Sequence, residues 1–406
     1  MTSMSRPYAA SDDGRAPAKE FFKRAGRLCA VKAKQNIIVV ISVVAAVITC
    51  FFVPPDKDYL GYIQWKTIAC LLALMMLVSA IKHTHIFRIL AAAILKRVHN
   101  MRTLVLFLVF IPAIFALVIT NDVAIVTFVP FTIVLLQMCN KEKHLPKVLV
   151  LLTLGCNLSP VLSPIGTAQN LYLFDYFNLS PMWFMANLWP LAIAGYGSIF
   201  VACMLTKSEE IRPVDTGRRA VPKLRLTFYF TLLLLTVLAI FDFVKQIRLF
   251  YIIVPLVLVA LLIMDRKVFV NTKYSIIVMF VAFFILAGNL ARMPDVNTFL
   301  TAILIGNEFV LTVGLSQVAS NTTSTFLLSR FTTNYYAFIA GACVSKFGTP
   351  ISTMSNFMVT KFYSKYDTEK KFGKKFYLGQ FAFLALLFGT GMLMIYVLQP
   401  LIGVLP

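Results

Sequence analysis

Long apolar runs dominate this chain, and short polar stretches punctuate them. Runs at 36–53, 64–81, 148–173, 183–205, 226–243, 248–264, 274–291, 335–360 and 377–399 reach the roughly 17 to 25 residues that a bilayer-spanning helix needs. Two further segments, 103–139 and 297–333, carry a polar point between apolar arms: ITNDVA at 119–124 and VASNTTST at 318–325. The second arm of the latter is about ten residues long. At about 1.5 Å per residue it covers roughly half of a hydrocarbon core. That predicts a re-entrant hairpin with its tip near the midplane. The arms of the first segment are long enough to cross, so length and charge leave two full helices open there.

Two of the runs are interrupted from within. SPIGTAQN (163–170) and TPISTMSN (349–356) agree at Pro, Ile, Thr and Asn. Pro164 and Pro350 lack a backbone donor and disfavour helix just before themselves. Gly155, Gly166 and Gly348 permit unusual backbone angles. Both runs are predicted to open near the bilayer centre, where unwound backbone is tolerated only if it is buried in protein or lines a wet cavity. Each half of the chain then has the same order of parts: spans, hairpin, broken helix, span. The fold class that follows is an all-α polytopic membrane protein of two inverted repeats, a pattern of secondary transporters. Its divisions are a basic tail (1–35), a first repeat (36–205), a cytoplasmic linker (206–225) and a second repeat (226–406). Freed carbonyls at such breaks can bind cations, and half-helix amino termini can face anions. Four such elements meeting at the midplane would form a small-ion site.

Charge sets the expected orientation. Lys and Arg concentrate in the tail, 82–102, 141–147, 207–225, 266–273 and 361–375, whereas the opposite connections carry only Lys57, Lys66, Lys245, Arg248, Arg292 and Arg330. By the positive-inside rule the amino terminus is cytoplasmic and the carboxyl terminus outside, in a multi-pass cell-membrane protein. The net charge of +21 is read as this topology signal, not as a nucleic-acid-binding surface. Only 14% of residues are charged, against about 25% in soluble domains. The basic first 35 residues are too long and too polar for the n-region of a signal peptide, and part of them, like 84–97, reads as an amphipathic surface piece. The seven cysteines are scattered without paired spacing, so neither a disulfide framework nor a zinc site is expected. His83 and His85 have no third ligand nearby in sequence. No H-E-x-x-H or G-x-S-x-G motif is present, and an enzyme is not expected.

TNDVAIVTFVP (120–130), NLSPVLSPIGTAQNLYL (157–173), FFILAGNL (283–290), LSQVASNTTSTFLL (315–328) and GTPIST (348–353) resemble the ion transporter superfamily. That group includes divalent-anion/sodium symporters, citrate-type carriers, arsenite permeases and one class of sodium/proton antiporters. The likeness is greatest to bacterial anion-permease-like members of unassigned substrate. It implies a homodimer in the lipid bilayer, with a scaffold domain and a mobile transport domain moving in an elevator manner. It also implies sodium and carboxylate binding at the SNT type of tip. That role is carried to Ser320, Asn321 and Thr322, and to Asn121 at the first tip. Ser163 and Thr349, beside the break prolines, would complete two half-sites, with Thr167, Asn170 and Gly348 in the same breaks. Sodium would sit at Asn121, Asp122, Ser320 and Asn321; no other cofactor is implied.

Two residues depart from the symporter-like pattern. Asp122 stands where such a tip has Thr, as in arsenite-permease-like members. A carboxylate at membrane depth is by default a functional hypothesis: it would bind sodium or cycle a proton, or else be a buried carboxylate capped by hairpin amides. Lys346 stands in CVSKFGTP where related carriers have small residues, with no other charge between Tyr336 and Lys361. Its ammonium is read as a stand-in for a coupling cation in the second half-site, as a partner for an anionic substrate, or as carrier of the coupled proton. An ion pair to Asp122 is the structural alternative. Glu308, roughly 18 Å from the second tip by helical rise, is expected near the outer surface in an entrance or inter-arm hydrogen-bonding role. Arg292 and Asp295 read as outer-face anchors and Asn289 as a helix-packing residue. The function that follows is secondary active transport of a small anionic solute with sodium or proton coupling. A sodium/proton antiporter is the alternative, favoured by Asp122 and disfavoured by Lys346.

Overall fold

The computed structural model describes residues 37–84, 98, 100–180, 182–211, 223–241, 250–272, 274–364, 366 and 372–402. The tail at 1–35, nearly all of the amphipathic piece at 84–97 and most of the linker lie outside the described residues. Helices account for nearly all of what is described, and Asn100 and Glu210 form one isolated antiparallel bridge.

The first half runs through α1 (Ile37–Phe52), α2 (Trp65–His83), α3 (Met101–Ile119), α4 (Asn121–Met138), α5 (Leu145–Leu158), α6 (Ala168–Tyr176) and α7 (Trp183–Met204). The second runs through α8 (Lys223–Phe241), α9 (Phe250–Met264), α10 (Ser275–Arg292), α11 (Pro294–Leu304), α12 (Glu308–Ala319), α13 (Asn321–Leu328), α14 (Tyr335–Val344), α15 (Met354–Tyr363) and α16 (Phe372–Leu393). A π turn, Met394–Leu398, prolongs α16. Among the described residues six helices are long and apolar enough to cross a membrane, or seven if the bent pair α11 and α12 is one span. The polytopic, all-helical class expected from the apolar runs is what the chain adopts.

Both interrupted runs open as predicted, over a longer stretch than the prolines alone dictate. The first leaves α-helix at Leu158, passes through a 3-10 turn at Ser159–Val161 and resumes at Ala168. Thr167 caps the new helix by accepting from the Asn170 N–H at 3.2 Å. The second is non-helical between Val344 and Met354.

The hairpins differ from each other and, in one boundary, from expectation. The first has arms of 19 and 18 residues, α3 and α4. The second was expected to begin at 297. Instead α11 is a separate helix, bent 112° from α12, because Gly306 takes a left-handed φ of 78° between them. The second hairpin is therefore α12 and α13, with arms of 12 and 8 residues. A helix of eight residues is marginal alone, and α13 is held by packing. The Phe326 ring lies 4.4 Å from Tyr172, 4.5 Å from Phe280 and 5.3 Å from Phe284, centroid to centroid.

Each ion pair joins two connections that the charge pattern assigns to one face. On one face Arg292 pairs with Asp56 at 2.6 Å and Lys66 with Asp175 at 3.2 Å. On the other, Glu209 takes Lys141 and Lys143, both at 2.7 Å, and His83 meets Asp265 at 2.9 Å. Hydrogen bonds from Lys141 and Lys143 hold the Glu209 carboxyl at about 2, well below its ordinary range.

Each broken helix presses a glycine against the first arm of its hairpin. Gly155 faces Val109 and Ala113 of α3, and Gly341 faces Phe309 and Thr312 of α12. At Gly341 an added Cβ would stand 2.9 Å from the Phe309 carbonyl oxygen, a backbone atom that cannot rotate away. Gly341→Ala should therefore lower stability by about 1–3 kcal/mol, read as a drop in thermal unfolding midpoint of the purified protein. Gly314→Ala, with open space at its Cβ, should leave the midpoint unchanged.

Candidate functional site

The two tips share one backbone shape. Thr120 has φ 68° and ψ 142°, and Ser320 has φ 74° and ψ 151°. Neither is glycine, and this region is strained for a residue with a Cβ, at a cost of order 1–3 kcal/mol. The reversal is held by what it makes possible. It turns the next N–H out of the hairpin and onto the facing break. Asn121 N–H donates to the Gly166 carbonyl and Asn321 N–H to the Ser352 carbonyl, each at 2.9 Å. Gly166 and Ser352 occupy the same position in the two eight-residue matches.

The break hydroxyls repeat the pattern. Ser163 Oγ donates to the Leu117 carbonyl at 2.6 Å, and Thr349 Oγ1 to the Gln317 carbonyl at 2.8 Å. Each also accepts a backbone N–H, from Ile165 and from Ser352, at 3.2 Å. In this conformation both hydroxyls staple break to hairpin. Gly348 has φ 104°, and the Gln317 side chain occupies the space a Cβ would need. Gln317 Oε1 accepts the Thr349 N–H at 3.0 Å.

A buried amide network joins the halves. Asn121 Nδ2 donates to Asn157 Oδ1 at 2.9 Å, Asn157 Nδ2 to Asn356 Oδ1 at 3.0 Å, and Asn356 Nδ2 to the Lys346 carbonyl at 3.3 Å. Ser345, next in chain, donates from Oγ to Asn321 Oδ1 at 2.8 Å. Asn121 thus reaches the Lys346 carbonyl through two amides, and Asn321 bonds the residue before it in the chain. Two more bonds tie the first break to the second hairpin: Gln169 Nε2 donates to Thr322 Oγ1, and the hydroxyls of Tyr172 and Ser329 meet at 2.8 Å. Ser320 Oγ caps α13 by accepting from the Thr323 N–H.

Lys346 is 1% exposed. Its side chain does not turn to the second half-site, where it was expected. Its ammonium reaches the first break, 3.4 Å from Thr167 Oγ1 and 3.5 Å from Asn170 Oδ1. Asp122 is exposed on the first turn of α4, not buried. Glu308 is 2% exposed, and its Oε1 accepts from Thr333 Oγ1 at 3.2 Å. That bond joins the two ends of the second hairpin, the inter-arm role expected for it. Asn289 is buried and donates to Thr49 Oγ1 at 3.1 Å, packing α10 on α1.

Asn157, Gln169, Gln317, Ser345 and Asn356 were not among the sequence candidates. The paired octets align Asn356 with Asn170 and could have supplied it. For Asn157 the signal was a lone amide in an otherwise apolar run. As a cation ligand the second tip is constrained: Asn321 Oδ1 already accepts from Ser345 and from Thr325 Oγ1. A cavity of about 330 Å³ lies apart, at the base of the second hairpin, lined by Glu308, Phe309, Asn334 and Tyr396 among others, and it includes none of the candidate residues.

These features describe a helical membrane protein built around paired broken helices and hairpins. The family described as citrate transporter matches residues 27–337, and the chain belongs to that family of transporters. It is 28% identical over 302 residues to the uncharacterized transporter MJ0456 of Methanocaldococcus jannaschii, covering 74% of this chain and 81% of that one. It is 27% identical over 318 residues to the inner membrane protein YbiR of Escherichia coli K12, covering 77% and 83% respectively.

Asn157→Leu would strand the Asn121 and Asn356 amides in a buried setting, where each lost partner costs about 1–3 kcal/mol. It should lower the thermal midpoint clearly. The double variant with Asn356→Leu should cost less than the sum of the single changes; strict additivity would show the bond to be energetically idle.

Proposed function

We propose that this protein is a secondary active transporter for a small anionic solute, coupled to sodium or protons and working as a homodimer by an elevator-type alternating-access motion. The observation that carries the reading is the repeated bond between tip and break, Asn121 N–H to Gly166 and Asn321 N–H to Ser352. Together with the matching octets it supports two inverted repeats, each contributing half of one central site. Polar backbone opened at that depth is costly unless it serves a pathway. The membership in a citrate transporter family makes carboxylates the first solutes to consider. The charge pattern supports a cytoplasmic amino terminus and an outer carboxyl terminus. Ser320, Asn321, Thr322, Asn121 and Asp122 are the residues proposed to meet solute and coupling ion, with Thr167, Asn170, Gly348, Ser163 and Thr349 framing them. A cation/proton antiporter is the second reading, favoured by the exposed Asp122 at the first tip.

Reconstitution into liposomes tests both. Citrate, dicarboxylates, sulfate and arsenite are offered under inward sodium or proton gradients. The expected result is saturable uptake of at least one anion that collapses with one of the two gradients. Asp122→Asn should weaken that dependence about tenfold or more, a loss of about 1.4 kcal/mol in coupling. Sodium-dependent proton flux with no anion present would establish the antiporter instead.

A further inference from the structure

Lys346 holds two breaks at once. Its carbonyl accepts from Asn356 Nδ2 and Ser352 Oγ, each at 3.3 Å, so its backbone is fixed in the second break. Its ammonium lies in the first, against Thr167 Oγ1 and Asn170 Oδ1. The Asn170 amide cannot turn that oxygen away cheaply. Its Nδ2 donates to the Pro160 carbonyl at 2.5 Å and to the Ser163 carbonyl at 3.3 Å, which leaves Oδ1 pointing at the ammonium. Thr167 Oγ1 is fixed likewise by the Asn170 N–H it accepts.

The corresponding oxygens of the second break face no cation. Asn356 Oδ1 accepts from Asn157 Nδ2, and Thr353 Oγ1 pairs with Ser355 Oγ at 3.0 Å. Extending the octet alignment three residues upstream sets Lys346 against Pro160, so the ammonium belongs to one half alone. Two oriented neutral oxygens around a buried positive charge are a donor arrangement for a monovalent cation. A charge removed from water persists only where such partners replace its hydration.

We propose that the Lys346 ammonium is a tethered cation: it fills the cation position of the first break that Thr167 and Asn170 create, in place of a free sodium ion. The occupancy rests on the geometry alone; only its meaning for coupling rests on the transport reading.

Thermal unfolding of the purified full chain in choline, sodium and n-propylammonium chloride tests it. Lys346→Ala should lose about 2–4 °C or more in choline and regain at least half of the loss, saturably, in propylammonium or sodium. The wild type should gain nothing from propylammonium. Adding Thr167→Val to Lys346→Ala should abolish the recovery. Lys346→Met, which fills the stem without the charge, should be destabilised in all three salts and keeps the test open should the alanine variant not fold. Wild-type stability of Lys346→Met, or a loss in Lys346→Ala that neither cation recovers, would overturn the proposal. Because these readouts are midpoints, saturable anion uptake by liposomes would preserve the transport reading even then.

Discussion

A peptide group set free within a bilayer has no water to turn to, so its partner must come from the protein. The two breaks are organised by that demand. The Gly166 and Ser352 carbonyls each receive an N–H from the residue just past a hairpin tip. To aim that N–H, Thr120 and Ser320 take a left-handed φ that a side chain disfavours. Tip and break therefore define each other. A tip without its break would have no reason to hold the strained turn, and a break without its tip would leave a carbonyl orphaned. Ser163 and Thr349 add a second bond of the same kind from break hydroxyl to first arm. Glycines at 155 and 341 bring the helices close enough for those bonds to form.

Side-chain amides then join what the backbone has paired. Asn157 stands between Asn121 and Asn356, so the first tip and the second break share one polar core. In a low-dielectric interior such a network rigidifies if every member is satisfied and is costly if one is missing. That gives its members a structural role in joining the halves.

The apolar runs, the tips and the breaks were legible because each has a compositional mark: Pro and Gly at the openings, Asn with Thr or Ser at the reversals. The 112° bend before Glu308 was not legible. Its mark is the single Gly306, and one glycine in an amphipathic stretch does not say whether a helix turns or continues. Ser163 and Thr349 were correctly placed in the breaks, but sequence does not reveal that their hydroxyls are taken by carbonyls of Leu117 and Gln317. The direction of Lys346 was equally hidden. A long flexible stem beside one break can reach into the other, and only packing decides.

The two pairs of tip and break match in backbone and differ in charge. At the second tip Thr322 is bonded across to Gln169, and Ser329 to Tyr172, so α13 is tied to α6. Phe326 deepens the tie by packing its ring at a tilt against Tyr172. The Lys346 side chain adds a third link between second break and first. Separating these parts would leave buried hydroxyls, an amide and an ammonium without partners at once, a cost of several kcal/mol. The two breaks and the second hairpin arm are thereby bound into one unit. The first tip is the exception on charge grounds: Asp122 is exposed at its end. A charge at that tip and none at the other is a second difference between the halves, beside the Lys346 ammonium.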